Sequence, residues 1–89
     1  MDGYEVLSNR EEGMGRPDIA LKPYHPKMTA VIIEIKKVEK FTQMDAACDD
    51  ALIQIETQGY VKGLLDEGYE KILQYGIAFC KKSCKVKMG

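Results

Sequence analysis

Val31, Ile33 and Ile35 fall on one side of a period-two pattern over residues 30–37, and Ile32, Glu34 and Lys36 fall on the other. Dense β-branched side chains make this the strongest strand of the chain. Ahead of it, Tyr4, Val6 and Ser8 alternate with Glu5 and Leu7 in a short strand, followed by a polar, glycine-containing turn over residues 8–15. A second strand is predicted over residues 16–21, with Ile19 and Leu21 on one face and Asp18 and Ala20 on the other. Pro17 cannot donate to a ladder and so belongs at this strand's start, an edge or a bulge. A loop with Pro23, His25 and Pro26 leads into the main strand.

Beyond it the period changes. Thr42 followed by Asp45 resembles a capping box, and Met44, Ala47, Cys48, Ala51, Leu52 and Ile55 recur at helical spacing, which predicts an amphipathic helix ending near Gly59. A short second helix follows over residues 60–67, with Val61, Leu64 and Leu65 apolar and Gly68 in the C-terminal cap position. Leu73, Tyr75, Ile77 and Phe79 then oppose the small Gly76, Ala78 and Cys80, a pattern that suits a strand covered on both sides. After a turn at residues 81–83, Cys84, Val86 and Met88 alternate with Lys85 and Lys87, as in a half-exposed edge strand. The predicted order is three strands, two helices and two strands.

Length limits what this pattern can build. Eighty-nine residues make one small domain that buries only about 60 to 65% of its unfolded surface, so every apolar face has to be used. No apolar run approaches the ~18 residues of a membrane span, and no secretory leader is visible, so a cytoplasmic setting is expected. Three cysteines, Cys48, Cys80 and Cys84, with the single His25, argue against a disulfide framework and against a zinc site. The net charge of −1 neither favours nor excludes nucleic acid. Lys81, Lys82, Lys85 and Lys87 do crowd the C-terminus, either as a local phosphate-attracting surface or as protection of an edge strand.

The main strand carries a carboxylate and an ammonium on a face that also holds Ile32. If the two strands pair, Asp18 and Glu34 lie side by side, and two adjacent carboxylates repel unless a cation sits between them. Magnesium takes one or two carboxylates and keeps waters for phosphate oxygens. Lys36 projects from the same face about 6.5 Å further along, placed to act on a water attacking a phosphodiester. The spacing alone is a weak signal, because a Glu-Lys pair on a strand commonly marks a solvated face.

Four segments in succession are more specific: "SNREEGMGRPDIAL", "AVIIEIKK", "ALIQIETQGY" and "ILQYGIAFCKKSCKVKM". Together they resemble the PD-(D/E)XK nuclease superfamily, in the C-terminal domain type attached to AAA-type ATPase domains in anaerobic bacteria. The resemblance runs from Tyr4 to Met88. It implies an α/β fold, a restriction-endonuclease-like mixed β-sheet with one main amphipathic helix and a short second one. It further implies a magnesium- or manganese-dependent deoxyribonuclease, in which Asp18, Glu34 and the carbonyl of Ile35 hold the metal and Lys36 is the active-site lysine. Gln54 falls where RecB-like nucleases carry a helix glutamine that steadies the site. Tyr60 comes six residues later rather than the usual four, which favours a core tyrosine. Glu11, Glu12 and Arg16 lie in the turn beside Asp18, where solvated turn residues are favoured over site residues.

The superfamily core begins with a helix ahead of the first strand, whereas this chain begins with that strand. Residues 1–89 are therefore expected to be a single nuclease-like domain lacking its N-terminal helix. The two helices after Thr42 cover only part of the sheet, and a homodimer is expected to cover the rest. Two other readings compete with a metal-dependent nuclease acting on DNA. One is a non-catalytic nuclease-fold module that binds an ATPase partner or itself, and the other is an ordinary α/β scaffold with a chance triad.

Overall fold

The computed structural model describes residues 3–8, 17–25 and 27–89. Its elements are β1 (Tyr4–Ser8), β2 (Ile19–Pro23), β3 (Thr29–Lys37), a 3-10 turn (Phe41–Gln43), α1 (Met44–Thr57), α2 (Tyr60–Asp66), β4 (Lys71–Cys80) and β5 (Ser83–Met88). The strands lie in one mixed sheet in sequence order. β1–β2, β2–β3 and β4–β5 are antiparallel, and β3–β4 is parallel because the chain crosses over through both helices.

Most expected elements fall where the period placed them, with two shifts. β2 runs from Ile19 to Pro23 rather than over residues 16–21, leaving Pro17 and Asp18 just ahead of the ladder and taking Pro23 from the expected loop into it, opposite Tyr4. The expected Thr42–Asp45 cap is replaced by the 3-10 turn, in which the Gln43 side-chain oxygen accepts from the Lys40 backbone N–H (3.2 Å), and α1 opens at Met44 with no side-chain cap bond. α2 ends at Asp66, with Gly68 just past its cap as expected and at φ 104°. The Gly68 N–H donates to the Leu65 carbonyl and the Tyr69 N–H to that of Leu64, the paired bonds of a Schellman motif.

Both helices pack on one face of the sheet. Register aligns Ala30, Ile32, Glu34 and Lys36 of β3 with Ile72, Gln74, Gly76 and Ala78 of β4 on that face. Near the start of β3, Ala30 and Ile32 pack with Ile55, Tyr60 and Leu64. Towards its end, Ala78 and Cys80 pack with Met44, Ala47 and Cys48. The second cluster is built from small side chains, so α1 lies very close to β4. A Cβ added to Gly76 would come 2.4 Å from the Cys48 carbonyl oxygen. The opposite face has no helix among the described residues. Leu73 and Phe79, expected under two-sided cover, are exposed, as are Val6, Val86 and Met88.

The edge strand β5 is fastened to α1 by charge. Lys85 Nζ lies 2.8 Å from Asp45, and Lys87 Nζ lies 2.9 Å from both Asp45 and Asp49. All three cysteines are free thiols, with Cys48 and Cys80 buried.

Candidate active site

Glu34 is the one buried charged residue among those described, at 2% exposure, and it sits between the two packed clusters opposite Gly76. β2–β3 pairing ends at Ile19–Ile33, one residue short of Asp18. Side chains take over from the ladder there. The Asp18 backbone N–H donates to Glu34 Oε1 (2.8 Å), and Asp18 Oδ2 accepts from the Ile35 backbone N–H (2.8 Å). Each carboxylate is thus oriented by the other residue's strand, and both are held by charge-assisted bonds. A strand residue's N–H and C=O point to the same edge, so the Ile35 carbonyl also faces the Asp18 side, beyond the last ladder pair.

The electrostatics follow from this packing. Burial pushes the Glu34 carboxyl above its ordinary value, the Asp18 N–H bond pulls it down, the Asp18 charge raises it and the Lys36 charge lowers it. Burial outweighs the rest, so the metal-free pair is under-compensated. Two hard carboxylates and a nearby carbonyl suit a divalent cation that takes few protein ligands and draws the others from water and substrate. No group of three or more Asp, Glu, His or Cys gathers anywhere among the described residues, so a richer protein cage for such an ion is not found there.

Lys36 follows on the same face, half-buried, and its Nζ hydrogen-bonds Gln54 Oε1. Gln54 is on the half-buried flank of α1, and its side chain also hydrogen-bonds the Tyr60 phenol. Burial raises the Tyr60 pKa, and the charges of Glu34 and Asp18 raise it further. The structure therefore brings Asp18, Glu34, Lys36 and Gln54 together, as the sequence places them, and adds Tyr60. The six-residue step to Tyr60 counted against it. On one continuous helix that step would point Tyr60 about 120° away from Gln54. The helix does not continue, because Gly59 takes φ 72°, a left-handed conformation that glycine adopts freely, and α2 restarts with Tyr60 turned back to the site. Tyr60 is both a core residue and a partner of Gln54. Glu11, Glu12 and Arg16 lie outside the described residues.

A mixed five-stranded sheet with a crossover of two helices, bearing Asp, Glu and Lys at one end, defines a nuclease-type α/β fold. Compared with models of known protein families, residues 1–88 match that of the PD-(D/E)XK nuclease superfamily. The match spans nearly the whole chain, and the chain belongs to that superfamily. No curated protein and no solved structure matches it. No helix among the described residues is long and apolar enough to cross a membrane.

Proposed function

We propose that this domain hydrolyses DNA phosphodiester bonds with a divalent metal, magnesium or manganese, held by Asp18, Glu34 and the Ile35 carbonyl. The observation that carries the reading is the pair of carboxylates held by backbone donors, Glu34 by the Asp18 N–H and Asp18 by the Ile35 N–H, with Lys36 hydrogen-bonded to Gln54 on the same face. Members of this superfamily typically use divalent metals. When bound, such an ion polarises a phosphate oxygen and lowers the pKa of a coordinated water.

The chain's own groups supply the remaining functions. The two carboxylates are fixed by backbone donors before any ligand arrives, which limits reorganisation on binding. In this reading the Lys36 ammonium orients the attacking water or offsets charge developing on the phosphate. Gln54 restricts the long Lys36 side chain to one arrangement, and Tyr60 in turn restricts Gln54.

Cleavage of plasmid DNA in magnesium or manganese, against the same reaction in EDTA, is the direct test. Asp18→Ala and Glu34→Ala should abolish both cleavage and calorimetric metal binding. Lys36→Ala should keep the metal and lose turnover by two or more orders of magnitude, in the range of general acid–base contributions, roughly 10²–10⁴-fold. Cleavage that persists in EDTA would rule the mechanism out. The uncovered sheet face favours a second reading, a non-catalytic nuclease-fold module that docks on itself or on an AAA-type ATPase domain. A metal-binding wild-type chain with no cleavage of any DNA would support it.

A further inference from the structure

The four C-terminal lysines do not share one role. Lys85 and Lys87 are occupied by Asp45 and Asp49 on α1. Lys81 and Lys82 form the β4–β5 turn, and they make no ion pair among the described residues. Lys37 and Lys40, also exposed and also outside any such pair, lie close by. The Val38 N–H donates to the Phe79 carbonyl (2.8 Å), which carries β3–β4 pairing past Lys37 and sets the end of β3 beside the β4–β5 turn. In their midst Phe41 is 57% exposed, and Lys81 Nζ stands 5.8 Å from its ring centroid. Glu39 and Asp50 line the same cavity as Lys37 and Lys40, and with Lys81 and Lys82 added the four lysines outnumber these two carboxylates.

The turn has a further feature. Lys81 adopts φ 56°, the only non-glycine residue among those described with positive φ. Two-residue hairpin turns favour Gly, Asn or Asp at such positions, so a lysine here is strained. Local strain of this kind clusters at functional sites.

We propose that a single-stranded DNA segment flanking the scissile phosphate runs over this end of the sheet, with Lys37, Lys40, Lys81 and Lys82 on its phosphates and one base stacked on Phe41. The inference rests on the nuclease reading for the position of the scissile phosphate and goes beyond it in naming the substrate form. Lysines alone would serve a duplex equally well. An exposed aromatic ring among lysines is the pattern that binds unpaired bases, because stacking needs a free base face and the backbone needs positive charge alongside. The tract begins at the end of β3, where Lys37 follows Lys36 in sequence but alternates to the other sheet face, so the DNA strand would pass the end of β3 to reach Lys40 and Phe41.

The test is fluorescence anisotropy in EDTA with a labelled oligothymidylate of about 20 nucleotides and a blunt duplex of equal length, across about 50 to 200 mM salt. Phe41→Ala should weaken single-strand binding roughly 5- to 150-fold and leave duplex binding unchanged. Lys81→Ala with Lys82→Ala should weaken both and reduce the single-strand salt slope by about 1.4, from about 0.7 per phosphate contact. Lys81→Gly relieves the turn, so it should melt no lower than wild type and still bind more weakly, which a purely structural lysine would not do. No single-strand binding at low salt, preference for the blunt duplex, or an unchanged slope in the double variant would each overturn the proposal. Tight single-strand binding without metal-dependent cleavage would support this surface and sink only the catalytic reading.

Discussion

Glu34 carries its charge almost out of contact with water, steadied by one backbone N–H and opposed by its neighbour Asp18. Its pKa is raised above the ordinary 4.5, chiefly by burial. A carboxyl raised on folding contributes stability that is present below its unfolded pKa and lost as pH rises through the folded one. At neutral pH the metal-free protein therefore carries a destabilising charge. Glu34→Gln keeps an acceptor for the Asp18 N–H and removes that charge. In EDTA the variant should melt above wild type at pH 7, and the advantage should vanish near pH 4. Added manganese should raise the melting temperature of wild type and leave that of the variant almost unmoved, since ligands stabilise only the state they bind. Equal melting temperatures at pH 7 in EDTA would show that Glu34 is not under-compensated. Asp45 is the opposite case, a carboxyl on an open surface. The Lys85 and Lys87 ammonium groups hydrogen-bond it and lower its pKa to about 2. Its contribution is present above the ordinary 3.8 and is lost as pH falls towards 2. A carboxyl NMR titration of Asp45 should show a midpoint near 2, returning towards 3.8 when Lys85 and Lys87 are both changed to Met.

Between elements, the decisive contact is α1 on β4. Gly76 has no Cβ because the Cys48 carbonyl oxygen, a backbone atom that cannot swing aside, takes the space. Gly76→Ala should force the helix away from the sheet and cost about 1–3 kcal/mol, the range for overpacking, in chemical denaturation. Gly76 lies opposite Glu34 in the register, so the same variant should also weaken metal binding. A substitution that leaves stability and metal affinity at wild-type values would show that α1 has slack there. The break at Gly59 belongs to this scale too. Only a left-handed residue between the helices returns Tyr60 to Gln54, and an L side chain at that φ costs roughly 1–2 kcal/mol.

For the whole molecule, the sheet is covered on one face only among the described residues. Val6, Leu73, Phe79, Val86 and Met88 leave the other face apolar and exposed. Five strands at about 4.8 Å spacing and about 20 Å of length give a face of roughly 500 Å², beyond scattered surface apolarity. Two such faces pressed together bury about 1,000 Å² in total, the lower limit of specific interfaces. A two-fold dimer with micromolar dissociation is therefore expected in sedimentation velocity, and Val86→Lys should shift it to monomer. A wild-type chain that stays monomeric up to about 100 μM, a concentration corresponding to an association free energy of about −5.5 kcal/mol, would exclude this self-association.

Local periodicity settled much of this protein. The period of two put Glu34 and Lys36 on one face of β3, and the period of 3.6 put Ala47, Cys48, Ala51 and Ile55 on one side of α1, because both follow from backbone geometry within a single segment. The left-handed Gly68 cap was likewise written in neighbouring residues. What lay between segments was not legible. Asp18 reaches the Ile35 N–H because the β2–β3 ladder stops at Ile19, a matter of register between residues 17 apart in the chain. Lys85 and Lys87 are engaged because β5 sets them opposite Asp45 and Asp49 of α1, whereas Lys81 and Lys82 fall in the turn, and Tyr60 meets Gln54 only because the chain turns at Gly59. Which sheet face the helices cover depends on the direction of the crossover, and an alternating strand carries apolar residues on both faces with nothing to rank them. The sequence could name the carboxylates and the lysine; their mutual orientation, and the burial that sets their charge, belong to contacts that exist only once the segments have met.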